Sequence, residues 1–97
     1  MSDAQILEEL WSVIVDRCRN PSAASYVSRI THDEKGIDKV LEKVGEESTE
    51  FILAVKNGIY QRTVEEAADL QFHIMVALAA ADVAFDDVLL ELQKRRR

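Results

Sequence analysis

QRTVEEAADLQFHIMVALAAA, residues 61–81, holds no glycine or proline, and its reading decides the fold. The spacing predicts a helix from about Gln61 to Ala81. At about 100° per residue, with Val64 at zero, Arg62, Glu66, Asp69 and His73 all fall between about 140° and 200°. Nearly everything else from Ala67 onward is apolar, spread around the remaining circumference. A helix apolar almost all round is normally buried, so its one polar stripe has to be satisfied inside the protein or at an interface. Leu70 to Ala81 alone has 10 apolar residues in 12, more than one small helical hairpin covers. A second copy of the chain is the economical cover, by two-fold symmetry or by swapped helices. The same run spans only about 18 Å as a helix, too short to cross a bilayer.

Working outward, three further helices are expected. Ser2 with Gln5 reads as a capping box, and Ile6, Leu7, Leu10, Trp11, Ile14 and Cys18 follow at helical spacing. Asn20-Pro21 ends that first helix, because a residue before proline is pushed out of the α region. Residues 20–33 read as a polar loop, long for a compact helical domain, and such loops are often functional. A second helix runs from about Ile37 to Lys56 and stops at Asn57-Gly58. A last one runs from about Phe85 to Arg96. With Gly 3 and Pro 1 in 97 residues, an all-β fold is excluded and one all-α domain, residues 1–97, is expected. A lone monomer of this size buries only roughly 60–65% of the surface its unfolded chain exposes and would be marginal.

The second helix unrolls in the same way. With Ile37 at zero, Val40, Leu41, Val44, Phe51, Ile52 and Val55 lie within about 60° of it, and this is the expected core face. Glu47 lies near about 280°, Lys43 about 240° and Glu50 about 220°, on the flank where a helix meets its neighbour. Glu46, near about 180°, points away from the core. Placed antiparallel to the third helix, Glu47 and Glu50 can converge with Glu66 and Asp69. Burying an unpaired carboxylate costs several kcal/mol, and neighbouring carboxylates also repel. A divalent cation removes both difficulties, and hard anionic oxygens suit Mg²⁺ or Mn²⁺. Each part also has a plainer reading. A Glu-rich helix face is commonly solvated, Thr63 with Glu66 fits a capping box, and a single histidine such as His73 is commonly a hydrogen-bonded core residue.

Charge narrows the partners. The net charge is −6, and Lys94, Arg95, Arg96 and Arg97 hold 4 of the 12 basic residues, leaving −10 over residues 1–93. Such a surface repels nucleic-acid phosphates, and the basic run complements the carbonyl end of a final helix. Cys18 is the one cysteine, so no intrachain disulfide forms and a reducing compartment is expected. Asp3, Glu8 and Glu9 interrupt any apolar leader. The expectation is a cytoplasmic protein with no nucleic-acid or membrane partner.

Glu46-Glu47-Ser48-Thr49-Glu50, followed after 15 residues by Glu66-Ala67-Ala68-Asp69, resembles the acidic motif of the all-α nucleoside triphosphate pyrophosphohydrolases of MazG type. The rest is similar to one branch of that group, the phosphoribosyl-ATP pyrophosphohydrolases of histidine biosynthesis. The stretches that carry this closer likeness are Asp16-Arg17-Cys18-Arg19-Asn20-Pro21, Ser25-Tyr26-x-x-Arg29, Gly36-Ile37-Asp38-Lys39, Lys43-Val44-Gly45-Glu46-Glu47, Ala54-x-Lys56-Asn57-Gly58 and Glu66-Ala67-Ala68-Asp69-Leu70-x-x-His73. They cover nearly the whole chain.

The resemblance implies a MazG-like bundle of four to five antiparallel helices, completed by dimerisation. It implies Mg²⁺-dependent hydrolysis of phosphoribosyl-ATP to phosphoribosyl-AMP and pyrophosphate. Glu47, Glu50, Glu66 and Asp69 become metal ligands, with Glu46 and His73 near the metal and Glu47 or Glu50 orienting or deprotonating water. Lys43, on the flank of Glu47 and Glu50, is a natural phosphate partner, with Arg19, Arg29 and Lys39 behind it; each also reads as a surface ion pair. Ser25 and Tyr26 belong to the substrate loop, Tyr26 either stacking on a base or ribose or anchoring the loop by packing. The chain departs from the family pattern at Cys18, at Ala84 in place of a helix-capping serine or threonine, and in the acidic segment before Gly36. The cyclohydrolase often fused to this domain, with its Cys- and His-based metal site, has no counterpart here. Two rival functions stay open: a related pyrophosphohydrolase acting on other nucleoside triphosphates, and a non-catalytic helical dimerisation module.

Overall fold

A computed structural model describes residues 4–96, and its regular elements are all helical: α1 (Gln5–Arg19), α2 (Tyr26–Thr31), α3 (Ile37–Asn57), α4 (Tyr60–Ala80) and α5 (Phe85–Arg95). The expected all-α class holds, and the upper count of five helices is the one found. The proposed Ser2 cap lies outside the described residues. Ala84 caps α5 with no side-chain hydrogen bond, and Asp86 and Asp87 supply the negative charge that its first turn favours.

The fifth helix is α2, inside what the sequence presents as a polar loop. Ser25 accepts a hydrogen bond from the Ser28 amide and so starts the helix. Ser28, buried, then ties the segment down: its hydroxyl donates to the Arg17 carbonyl at 2.8 Å and accepts from the Ser22 amide at 3.0 Å. Val27 and Ile30 enter the core from the same short helix. Six residues with two apolar anchors are too few to show a periodicity, which is why the helix was hidden.

α3 and α4 form the most extensive helix pairing. They are joined across Gly58, which takes a left-handed φ of 70° and whose amide caps the Val55 carbonyl, and Ile59. So short a link makes the helices antiparallel neighbours. The main core lies at the other end of the pair, where Ile14, Val27, Ile30, Val40, Met75, Val76 and Phe85 are buried, with Leu10, Trp11 and Leu89 packed around them.

Two expectations about burial are corrected here. α3 does not turn its widest apolar face inward. Val40 is buried, Val44 and Phe51 are half-buried, and Ile37, Leu41, Ile52 and Val55 are exposed, Ile52 at 63%. The face against the bundle is Val40, Glu47 and Ala54, a spacing of seven that keeps one side toward a neighbouring helix. α4 is likewise not enclosed. Glu66, His73, Met75 and Val76 are buried, whereas Tyr60, Val64 and Ile74 are exposed. The hairpin thus turns Glu47 and Glu66 in and much of its aliphatic surface out, because a single chain has no third layer to cover both sides.

α4 ends in a Schellman motif: the Val83 amide reaches the Leu78 carbonyl at 2.9 Å and the Asp82 amide reaches Ala79 at 3.2 Å. Asp82 holds the left-handed position, φ 58°, that glycine usually occupies. We predict opposite shifts from two substitutions. Gly58→Ala lowers stability by about 1 kcal/mol, and that cost is conformational, since nothing lies within 4 Å of an added Cβ. Asp82→Gly raises stability by roughly 0.5 kcal/mol. Urea unfolding followed by circular dichroism measures both; a neutral Gly58→Ala contradicts the conformational account.

Candidate metal centre

The antiparallel pairing of α3 and α4 brings the middle of one helix against the first half of the other. Glu47 from α3 and Glu66 from α4 are both buried, at 8% and 3% exposure, while Asp69 stands exposed one turn beyond Glu66. One carboxylate oxygen from each of the three lies within 4.8 Å of the others.

The two buried carboxylates share a local arrangement. Each has one oxygen near a basic side chain four residues earlier on its own helix: Lys43 Nζ is 4.0 Å from Glu47 Oε1, and Arg62 Nη2 donates to Glu66 Oε1. Each has its second oxygen, Oε2, buried and without a hydrogen-bond partner. Buried polar atoms are nearly always paired, and leaving one unpaired costs about 1–3 kcal/mol, more for a charged group. Two such atoms in one acidic cluster form a half-complete shell of hard oxygen donors. A small divalent cation with oxygen preference fits that donor set.

Around the trio the remaining residues separate. Glu50, exposed one turn after Glu47, is not one of the three that converge; it lies about 60° further round the helix. Glu46 is exposed, and Lys43 donates to its Oε2 at 2.9 Å. That hydrogen bond, with the Lys43 charge behind it, holds the Glu46 carboxyl below its usual range, and Lys39 adds a smaller pull in the same direction. Lys43 is pushed up in turn, first by Glu46, with Tyr26 and Glu47 contributing less.

His73 is buried, and both ring nitrogens are engaged: Nδ1 with the Asp69 carbonyl at 2.8 Å and Nε2 with the Tyr26 hydroxyl at 2.8 Å. So placed, it offers no free lone pair to a cation. Tyr26 stacks on Phe72 with centroids 6.3 Å apart, as an anchoring residue does, and burial pushes its hydroxyl pKa up. Ser25 serves as the cap of α2. Arg29 is exposed and donates to the Ala23 carbonyl at 3.2 Å.

Arg19 is apart from this group. It lines a cavity with Trp11, Cys18, Thr31, His32 and Asp82, at the opposite end of α2 from Tyr26. One residue with a direct hold on the cluster has a place in the sequence reading but no role there: Arg62. Its signal was present, since it lies in the same angular stripe as Glu66 and Asp69, four residues before Glu66. Its guanidinium also donates to Glu65 at 2.8 Å, and with Glu66 this holds its pKa above the usual value.

The chain matches the family described as phosphoribosyl-ATP pyrophosphohydrolase over residues 7–96. It is 62% identical over 95 residues to the phosphoribosyl-ATP pyrophosphatase of Methanoregula boonei, covering 98% of this chain and 91% of that one. Identity to the protein of that name from Methanosphaerula palustris is 61% over 97 residues, covering 100% and 98% of the two chains. The counterpart from Methanosarcina barkeri is 45% identical over 94 residues, covering 97% and 90%. Matches of this extent, on a helical hairpin that gathers three of the motif's acidic residues, establish that the chain belongs to the phosphoribosyl-ATP pyrophosphohydrolase family.

Proposed function

We propose that this protein hydrolyses phosphoribosyl-ATP to phosphoribosyl-AMP and pyrophosphate, a step of histidine biosynthesis carried out in the cytoplasm. The observation that carries the proposal, beside family membership, is the pair of buried, unpartnered oxygens on Glu47 and Glu66 next to Asp69. Glu47, Glu66 and Asp69 would hold Mg²⁺, with Mn²⁺ as a substitute and Glu50 as a fourth ligand or as the base. When bound, the cation neutralises triphosphate charge and lowers the pKa of a coordinated water.

The chain's own groups account for the rest. Lys43, half-buried beside Glu46 and Glu47, carries a mobile ammonium suited to a phosphate oxygen. Lys39, one turn before Lys43 on α3, acts on Glu46, and Arg29 stands on α2, the helix that carries Tyr26. Arg19, at the far end of α2, would reach substrate only at a part distant from the triphosphate. Glu50, exposed and free of the trio, suits proton acceptance from the attacking water. The water oxygen bonds to phosphorus, the α–β anhydride bond breaks, pyrophosphate leaves, and the proton passes to the carboxylate. Positioning and charge stabilisation supply most of the rate in such transfers.

A homodimer belongs to the same reading. Ile37, Leu41, Ile52 and Val55 on α3, with Val64 and Ile74 on α4, expose aliphatic surface that a second copy covers by two-fold symmetry. No described helix is long and apolar enough to cross a membrane.

Three measurements bear on the proposal. Pyrophosphate release is expected from phosphoribosyl-ATP and not from ATP, to stop with chelator, and to fall about 10²–10⁴-fold in Glu50→Gln; release from neither substrate by folded, metal-supplied protein sinks the reading, and release from ATP favours the broader nucleotide specificity. Mn²⁺ at about 100 times its dissociation constant should stabilise the fold by about 2.7 kcal/mol, a gain lost in Glu47→Gln and Glu66→Gln, as differential scanning calorimetry reads. Sedimentation should give a dimer and Ile52→Glu a smaller species; a wild-type monomer removes the symmetric interface.

A further inference from the structure

One arrangement occurs twice in the hairpin. Lys43-Val44-Gly45-Glu46-Glu47 on α3 and Arg62-Thr63-Val64-Glu65-Glu66 on α4 each set a basic residue three and four positions before two glutamates. In both, the first glutamate is exposed and the second is buried. The basic group can therefore be held by the outer carboxylate, by the inner one, or by both.

The two helices settle this differently. Lys43 Nζ bonds Glu46 at 2.9 Å and stands 4.0 Å from Glu47, too far for a hydrogen bond. Arg62 holds both: Nη1 donates to Glu65 Oε1 at 2.8 Å, while Nη2 donates to Glu66 Oε1. A planar guanidinium presents donors on two nitrogens in a rigid fork, which an ammonium lacks. Helix stability does not account for Arg62. It is the third residue of α4, where the helix dipole disfavours a positive charge. A basic residue four positions before an acidic one is also the weaker order for a helical pair. What the fork achieves lies at Glu66, where Oε1 is taken and the buried Oε2 is left without a partner.

We infer that Arg62, anchored by Glu65, is a positioning residue for Glu66. Held at Nη1 by the outer carboxylate, the guanidinium reaches the inner one through Nη2 alone. It fixes the Glu66 side chain without closing the two-bond fork that arginine commonly makes over both oxygens of one carboxylate. Glu65 thereby gains a role as the anchor: with it removed, both nitrogens are free to turn onto Glu66 and cover Oε2. This rests on the metal centre of the pyrophosphohydrolase reading, and it names the residues that keep one of its donors open.

Mn²⁺ binding to the full chain, followed by electron paramagnetic resonance of the free ion, tests the role without turnover. Arg62→Lys keeps the charge and loses the fork, and Lys43 shows that an ammonium at this spacing settles on the outer glutamate. Its Mn²⁺ dissociation constant should rise about tenfold, the size of effect seen when a metal ligand loses its hydrogen-bond partner. Unchanged affinity reduces Arg62 to a charge, and tighter binding makes it a competitor of the metal; either overturns the role. Glu65→Ala should also weaken binding about tenfold, at high salt as at low, whereas the loss of a mere surface charge is screened; a loss that vanishes in salt overturns the anchor. The double variant should bind no more weakly than Arg62→Lys, because Glu65 acts only through the fork, and losses that multiply to about a hundredfold overturn that coupling. In pyrophosphate release, each variant should need about ten times more Mn²⁺ for its half-maximal rate and regain the wild-type kcat at saturation. A kcat that stays low at saturating Mn²⁺ marks a merely structural loss and overturns the role. Should Arg62→Lys fail to fold, Glu65→Ala leaves the guanidinium in place and still decides. A wild-type chain that binds Mn²⁺ but releases no pyrophosphate removes the reaction alone, since the order of affinities still decides this role; one that binds no Mn²⁺ overturns both.

Discussion

Glu47 and Glu66 each have one carboxylate oxygen beside a basic side chain of their own helix and the other buried without a partner, and the rest of the molecule is arranged around that incomplete contact. An unsatisfied charged atom in a helix interface is costly. Here two of them stand in one acidic cluster with Asp69 alongside, a donor set that fits a small divalent cation. Lys43 and Arg62 limit the cost without removing it. Each engages Oε1 and leaves Oε2, so each orients its carboxylate as an outer-shell partner orients a metal ligand.

That choice propagates through the fold. With the flank of α3 that carries Glu47 turned toward α4, the broad stripe through Leu41, Ile52 and Val55 has to face outward. The same holds on α4, where Glu66 and His73 point in and Val64 and Ile74 point out. An isolated hairpin of this kind has its polarity reversed relative to an ordinary two-helix unit. Its apolar packing is therefore concentrated at one end, where α1, α2 and α5 supply Ile14, Val27, Ile30 and Phe85. The acidic end keeps the unpartnered oxygens, and the same rotation of the helices leaves the aliphatic surface exposed, so both follow from one cause.

The long elements were legible in the sequence because their periodicity is sustained: α3 and α4 are 21 residues each and end close to their expected stops. The stripe of Arg62, Glu66, Asp69 and His73 was legible for the same reason. What the periodicity could not supply was the rotation of α3 about its axis. Helical spacing groups Ile37, Leu41 and Val55 on one face, yet it carries no information on whether that face meets its own chain or another. A core face was assigned to the larger apolar stripe, and the narrower one through Val40 and Ala54 took the intramolecular contact. Glu50 shows a finer failure of the same kind: an i,i+3 pair shares a helix face, but about 60° of offset is enough to leave one carboxylate in solvent.

The segment before α3 went unread for a different reason, and that reason bears on the chemistry. A run of serines and alanines with one proline has the composition of a flexible connection, whereas here the serines provide the order. Ser25 caps, Ser28 bridges the end of α1 to Ser22, and Thr31 donates back to the Val27 carbonyl at 2.7 Å. Short hydroxyl side chains compete for local backbone groups, so in a loop they can replace the hydrogen bonds a longer helix would make. Tyr26 and Arg29 therefore start from a fixed backbone. Only from such a base can a single phenolic oxygen be held 2.8 Å from the His73 ring, across from a helix it does not belong to.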